Sequence, residues 1–171
     1  MIGLAQLLEG PQSLKETWIA PDPARAREDR TIARALTILE GRALATGLIM
    51  TSPERSGEFF RLRLADETRE HFEAAFLDNR HRLLKVERLF SGTIDQSVVH
   101  ARIVVQRALA LNAAAVLLAH NHPSGDPEPS PADRSLTAQL KQALALVEVR
   151  VLDHLIVTHG RTVSLAALGW V

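Results

Sequence analysis

The segment 113–133, AAAVLLAHNHPSGDPEPSPAD, joins an apolar run, a Pro-rich loop and a helix start. The run AAAVLLAH is short and has a helical pattern on each side, which predicts a strand buried on both faces of a sheet. Ser130, Pro131 and Asp133 are the residue types preferred at the N-cap, N1 and N3 positions of a helix. The segment therefore predicts strand, loop and helix within a layered α/β domain.

The flanking sequence extends this pattern in both directions. The runs HFEAAFLD and HRLLKVERLF stand on either side of the turn-like residues 78–81 and predict a hairpin. ARIVVQRALALN is an amphipathic helix by its spacing, and VRVLDHLIVTHGRTVSL predicts two strands joined around Gly160. This order of elements predicts one α/β domain, a mixed central β-sheet flanked by helices, and not a series of βαβ units.

The N-terminal part of the chain has a different composition. We predict that residues 1–48 form a helical or linker segment and that residues 49–171 form the domain. Residues 20–30, APDPARAREDR, are rich in proline and charge and predict a linker, whereas TIARALTILEGRAL has helical spacing. Trp18 lies in an apolar lead that could pack against a second copy of the chain, so a homodimer is one expected assembly.

Composition narrows the classes of function. Lys and Arg number 20 and Asp and Glu number 20, so the net charge of zero argues against autonomous nucleic-acid binding, although a local basic patch could still exist. There is no cysteine, which excludes disulfides and thiolate ligands and fits a cytoplasmic protein. No apolar run is long enough to span a membrane, and the N-terminus lacks the basic region of a signal peptide, so no membrane partner is expected.

The His-x-His pair at the end of the buried strand predicts a metal site. Residues two apart in an extended chain point the same way, so His120 and His122 can present two imidazoles to one point. Two imidazoles and a carboxylate form a common ligand set for hydrolytic zinc, with a further position left for water. Asp133, brought back by the Pro-rich loop, can supply that carboxylate. Ser130 and Asp133 are also an ordinary helix cap, and the two roles are compatible.

Hydrolysis at such a site also needs a proton acceptor and a donor to the developing oxyanion. Glu70, at the start of the first hairpin strand, is the best-placed base. Glu73 is the competing choice, although its odd offset puts it on the opposite strand face. Ser130 lies on the same turn as Asp133 and can face the substrate. Asn121 is expected to shape the motif loop and not to react.

The segment AHNHPSGDPEPSPAD resembles the metal motif of the JAMM (MPN+, JAB-type) metalloproteases, and about residues 50–171 closely resemble the RadC family. The resemblance implies a JAB/MPN-type fold of cytidine-deaminase-like architecture. It implies one Zn²⁺ per chain bound by His120, His122 and Asp133. It also implies that Ser130 helps to hold the oxyanion and that Glu70 is the general acid/base.

The function implied is a zinc-dependent peptidase or isopeptidase whose peptide or protein substrate is unknown. The main alternative is a module of the DNA-repair-associated type that binds protein or nucleic acid without catalysis. Full-length RadC proteins carry an N-terminal region that resembles helix-hairpin-helix modules, and residues 1–50 do not match it well. A zinc nucleobase deaminase is set aside because its motif requires cysteines. His154, beside Asp153, is expected to be structural or to partner a histidine ligand.

Overall fold

The computed structural model describes residues 22–46, 49–50, 52–92 and 99–171. Trp18 and the apolar lead that was expected to pack against a second copy of the chain lie outside these residues. The chain divides into two compact units, Met1–Arg34 and Ala35–Val171. Within the described residues, no helix has the length and apolar character needed to cross a membrane.

The elements follow the predicted order. The helices are α1 (Pro23–Thr46), α2 (Pro53–Leu64), α3 (Ala101–Ala110) and α4 (Pro131–Ala145). The strands are β1 (His71–Leu77), β2 (Leu83–Ser91), β3 (Ala115–Asn121), β4 (Arg150–Val157) and β5 (Thr162–Ser164). They form a five-stranded sheet of order β2-β1-β3-β4-β5. Strands β3 and β4 are parallel and the other named pairs are antiparallel, which confirms the mixed sheet.

Helix α1 corrects the linker prediction for residues 20–30. The helix begins at Pro23, so most of the Pro- and charge-rich stretch is helical. The Asp22 side chain accepts a hydrogen bond from the Ala24 N–H at 2.9 Å, as an N-cap does, and Pro23 needs no N–H at the first helical position. Composition was misleading because proline at a helix start and proline in a linker look alike when counted.

The sheet has a hydrophobic core on each face, which explains the uninterrupted apolar run of β3. Alternate residues of β1 and β3 point to opposite faces, and every residue of both strands is buried. One core includes Phe60, Leu64, Ala75, Leu77, Leu117 and Leu155, with α2 on that face. The other includes Phe72, Phe76, Val104, Leu118, Leu140 and Leu144, with α3 and α4. The strand buried on both faces is confirmed.

Strand β4 contains one extra residue relative to β3. Val116 pairs with Val151, but the next residue, Leu117, pairs with Asp153, so Leu152 forms a β-bulge. Beyond the bulge, His154 pairs with Leu118. Because paired residues of neighbouring strands share a face, His154 points toward α4 and Asp153 points to the other side.

Helix α4 ends in a Schellman motif centred on Glu148. The Val149 N–H donates to the Leu144 carbonyl at 3.0 Å and the Glu148 N–H to the Ala145 carbonyl at 3.1 Å. Glu148 has a φ of 60°, a left-handed conformation that disfavours any residue with a Cβ. The exposed carboxylate therefore stands at a position where glycine fits best.

Glu148→Gly is expected to stabilise the domain. Removing the Cβ relieves the steric strain of the left-handed conformation. After the added chain entropy of glycine, the free energy of unfolding is expected to rise by about 1 kcal/mol, or about 2–4 °C in Tm. Thermal unfolding of the whole chain measures it. Glu148→Ala is the matched control, since it removes the same charge and keeps the Cβ. Equal midpoints for the two variants would contradict the conformational explanation.

Candidate metal centre

The end of β3 brings two imidazoles together, as the His-x-His spacing predicts. His120 is the penultimate residue of β3 and is 4% exposed. The His122 N–H donates to the Val157 carbonyl of β4 at 2.9 Å, so the extended pairing continues past the strand end. The two Nε2 atoms consequently lie 2.9 Å apart.

Helix α4 brings the predicted carboxylate to the same point. Its first turn is a capping box, in which the Ser130 hydroxyl accepts from the Asp133 N–H at 3.1 Å and Asp133 Oδ2 accepts from the Ser130 N–H at 2.8 Å. The predicted helix cap is confirmed. Asp133 Oδ1 lies 3.0 Å from His120 Nε2, and Oδ2 lies 3.5 Å from His122 Nε2. The cap thus holds the carboxylate against both rings.

The hydrogen-bond network assigns the free nitrogen of His122. Its Nδ1 lies 2.8 Å from the Asp126 carbonyl oxygen, which can only accept, so Nδ1 carries the hydrogen in the neutral ring. In that ring His122 Nε2 carries the lone pair, which is directed at His120 and Asp133. The Pro-rich loop contributes a backbone acceptor that orients the ring.

The electrostatics of the cluster favour a cation. Burial alone would raise the pKa of Asp133, but hydrogen bonds with both histidines and with Ser130 hold that pKa well below its usual range. The hydrogen bond with Asp133 raises the pKa of His122 above its ordinary value, although burial opposes it. The cluster therefore attracts positive charge, which a proton or a metal ion can supply.

The ligand atoms have suitable spacing for zinc. Zinc bonds of about 2.0–2.1 Å in a tetrahedral site put neighbouring ligand atoms about 3.3 Å apart. The separations among His120 Nε2, His122 Nε2 and the Asp133 oxygens are 2.9, 3.0 and 3.5 Å. The two imidazoles and the carboxylate are also the donor set that zinc accepts. These residues fit the ion.

Glu70 lies beside the same cluster. One oxygen of Glu70 and one nitrogen of each of His120 and His122 all lie within 4.8 Å of one another, so these three residues could hold a metal ion. A small cavity of about 40 Å³ is lined by Glu70, His120 and Asp133, among others, and has room for a water molecule. The carboxylate is therefore placed either to bind a metal or to exchange a proton with a water.

Glu73 lies on the other face of β1. Its side chain is 0% exposed and belongs to a buried ion cluster. Arg63 Nε lies 2.6 Å from Glu73 Oε2, and Arg88 Nε lies 3.1 Å from Oε1. Both carboxylate oxygens are thus engaged by guanidinium groups. Of the two glutamates considered as bases, only Glu70 lines the cleft.

Asn121, between the two histidines, fixes the segment that carries Glu70. It is 2% exposed, and its Oδ1 accepts from the His71 N–H at 2.8 Å. Its Nδ2 donates to the Arg69 carbonyl at 2.8 Å and to the Glu67 carbonyl at 3.3 Å. The backbone on both sides of Glu70 is therefore held by the residue that separates the two imidazoles. The sequence indicated a shaping role but not this contact.

A larger cleft of about 910 Å³ opens over the cluster. Its walls come from the Pro-rich loop, the start of α4 and the segment before β1. The apolar part includes Val99, Pro123, Ala132 and Leu136, and the acidic part includes Glu70, Asp126, Glu128 and Asp133. None of the described residues that line it is Lys or Arg. The cleft can take an extended substrate and does not favour a polyanion.

The mixed sheet, with helices on both faces and a His-His-carboxylate cluster at a strand end, defines an α/β domain of the JAB/MPN type. The family model described as "RadC-like JAB domain" matches residues 50–170. The chain belongs to this family.

Curated relatives support the same assignment. A UPF0758 protein of Xanthomonas oryzae pv. oryzae is 45% identical over 170 residues, covering 98% of this chain and 74% of the relative. One of Vibrio cholerae is 49% identical over 146 residues, covering 85% of this chain and 91% of the relative. One of Xanthomonas campestris pv. campestris is 53% identical over 128 residues, covering 75% of this chain, and this chain spans only 57% of that relative.

Proposed function

We propose that this chain is a zinc-dependent hydrolase of the JAMM type that cleaves a peptide or isopeptide bond. The convergence of His120 Nε2, His122 Nε2 and the Asp133 carboxylate beside a cavity lined by Glu70 is the observation that carries the proposal. Three electron-pair donors meet there at separations suited to one zinc ion. An acid/base group stands beside them and a cleft opens over them.

In this proposal His120, His122 and Asp133 hold the zinc. A bound zinc supplies Lewis acidity, which lowers the pKa of a water toward neutrality and polarises a substrate carbonyl. Glu70 takes the proton of the attacking water on its carboxylate and returns it to the leaving nitrogen. The hydrogen bonds of the Asn121 side chain with the backbone of His71 and Arg69 keep Glu70 within reach of the water and of the leaving nitrogen.

Ser130 has two roles in the proposal. Its hydroxyl donates to Asp133 Oδ2 at 2.6 Å, which orients the carboxylate. Ser130 also lines the cleft, so rotation of the hydroxyl away from Asp133 would direct it to a substrate oxyanion. The capping N–H bond to Asp133 remains when the hydroxyl rotates, so the helix start keeps its shape.

The competing function is a binding module without catalysis. A nucleic-acid ligand in this cleft is disfavoured by its acidic walls and by a net charge of zero. A scaffold would have no chemical reason to direct two imidazole lone pairs and two carboxylates at one point. The hydrolase is therefore the better supported function.

Metal content tests the proposal. Purified protein is expected to contain about one zinc per chain, to lose it to a chelator and to recover it on adding zinc. Peptide and lysine-linked isopeptide substrates are then screened with the loaded and chelated forms, and cleavage is expected only in the loaded form. His122→Ala is the control for the site. Protein that stays metal-free in excess zinc would contradict the proposal and favour the binding module.

A further inference from the structure

A line of buried hydrogen bonds runs behind the metal centre, on the side away from the cleft. Thr137 Oγ1 lies 2.6 Å from the Asp133 carbonyl oxygen and 2.6 Å from His154 Nδ1. His154 Nε2 lies 2.9 Å from His120 Nδ1. Thr137 and His154 are 0% exposed and His120 is 4% exposed. The line begins at the backbone of one candidate ligand and ends at the ring of another.

The first hydrogen bond determines which atom is the donor in every other bond of the line. Two oxygen atoms 2.6 Å apart need a hydrogen between them, and the Asp133 carbonyl has none. The single hydroxyl hydrogen of Thr137 must therefore point at Asp133. Thr137 Oγ1 is left with lone pairs only, so it accepts from His154, and His154 Nδ1 carries a hydrogen.

The same donor-to-acceptor order continues through the ring of His154. Its ring is fully buried and lies edge-on to the Phe72 ring, with the two ring centroids 5.6 Å apart. Among the described residues, no carboxylate oxygen is hydrogen-bonded to the ring. A neutral imidazole with a hydrogen on Nδ1 has a lone pair on Nε2. His120 Nδ1 must then be the donor of the last bond. The lone pair of His120 is consequently on Nε2, which faces His122 and Asp133.

We propose that Thr137 and His154 are positioning residues that set the tautomer and ring orientation of His120, so that its Nε2 is ready to bind a metal ion. The inference rests on the proposed function for its purpose, but the tautomer belongs to the metal-free protein. His122 is set in the same way by the Asp126 carbonyl. The two ligand rings are thus prepared by different partners, one backbone oxygen and one buried imidazole.

The test combines tautomer assignment with zinc affinity. Two-bond ¹H–¹⁵N spectra of the metal-free whole chain are expected to show His120 and His154 each protonated on Nδ1. His154→Leu removes the acceptor and is expected to weaken zinc binding about 10- to 100-fold, the usual cost of losing a partner of a metal-binding histidine. His154→Gln keeps an acceptor near the position of Nε2 and is expected to lose less affinity than the Leu variant.

Thr137→Val tests whether the Thr137 hydroxyl sets the donor and acceptor nitrogens of His154. Without the Thr137 hydroxyl, His154 is expected to lose its fixed tautomer in the same spectra, and zinc binding is expected to weaken. Thr158→Val is the matched control, because Thr158 is 3% exposed and its hydroxyl bonds to the backbone of Arg161, within the turn after β4. It is expected to bind zinc like the unaltered chain.

Each outcome separates this inference from the proposed function. A His120 ring without a hydrogen on Nδ1 in the metal-free chain would overturn the inference, and so would unchanged zinc affinity in a folded His154→Leu variant. If the unaltered chain binds no zinc, the proposed function fails while the spectra still decide the tautomer. If His154→Leu does not fold, the zinc affinities of His154→Gln and Thr137→Val are compared with that of the unaltered chain.

Discussion

Glu70→Gln is expected to abolish hydrolysis and to leave zinc content unchanged. The amide keeps the size and shape of the carboxylate but cannot take a proton from water, and loss of general acid/base catalysis costs about 10²–10⁴-fold in rate. The turnover of any substrate found by the screen, beside the zinc content of the same sample, measures both effects. Turnover and zinc content together show whether Glu70 is a general base or a zinc ligand.

The outcome depends on how Glu70 shares the site with the histidines. It is close enough to His120 and His122 to belong to a metal-binding group itself. Loss of zinc in Glu70→Gln would show that Glu70 is a ligand, and unchanged turnover would show that the base is elsewhere. Glu73→Gln is the matched control on the opposite sheet face. It is expected to lower stability, because Arg63 and Arg88 lose a buried partner, and to spare zinc binding.

Asp133→Asn is expected to weaken zinc binding by more than about 100-fold, beyond the usual cost of altering an outer partner. A neutral amide is a poor substitute for a carboxylate in a zinc ligand set. The amide oxygen can still accept from the Ser130 N–H, so the helix start is expected to persist. Competition with a zinc-binding dye measures the affinity, and circular dichroism checks the fold.

Ser130→Ala separates the two roles of this helix start. It removes the hydroxyl that accepts from the Asp133 N–H, which is expected to cost about 1 kcal/mol of stability. The carboxylate remains, so zinc affinity is expected to stay within about 10-fold. If Asp133→Asn and Ser130→Ala weakened zinc binding equally, Asp133 would act only through the cap, and its role as a ligand would be wrong.

The sheet and its central strand could be predicted because they depend on local patterns. The AAAVLLAH run has no polar face, so it fits only a strand covered on both sides. The two histidines converge because extended chain repeats every two residues. Ser130 and Asp133 are a cap by residue type and spacing alone.

The contacts that orient the site could not be predicted in this way. Asn121 bonds to the backbone of His71, which is 50 positions away, and His120 bonds to His154 across 34 positions. Such partners are selected by the strand register and by the bulge in β4, which leave no mark in the local pattern. The start of α1 was missed for a different reason, since proline before a helix and proline in a linker have the same composition.

The extra residue in β4 makes the metal centre sensitive to strand register as well as to residue type. If Leu152 were kept and the pairing became regular, Leu152 would pair with Leu117, and Asp153 would lie opposite Leu118 in place of His154. A carboxylate would then stand in the apolar interior next to Thr137, and the imidazole would move to the face covered by α2. A homologue of the same length that paired β4 regularly would therefore need a different partner for its first histidine, even if every motif residue were retained.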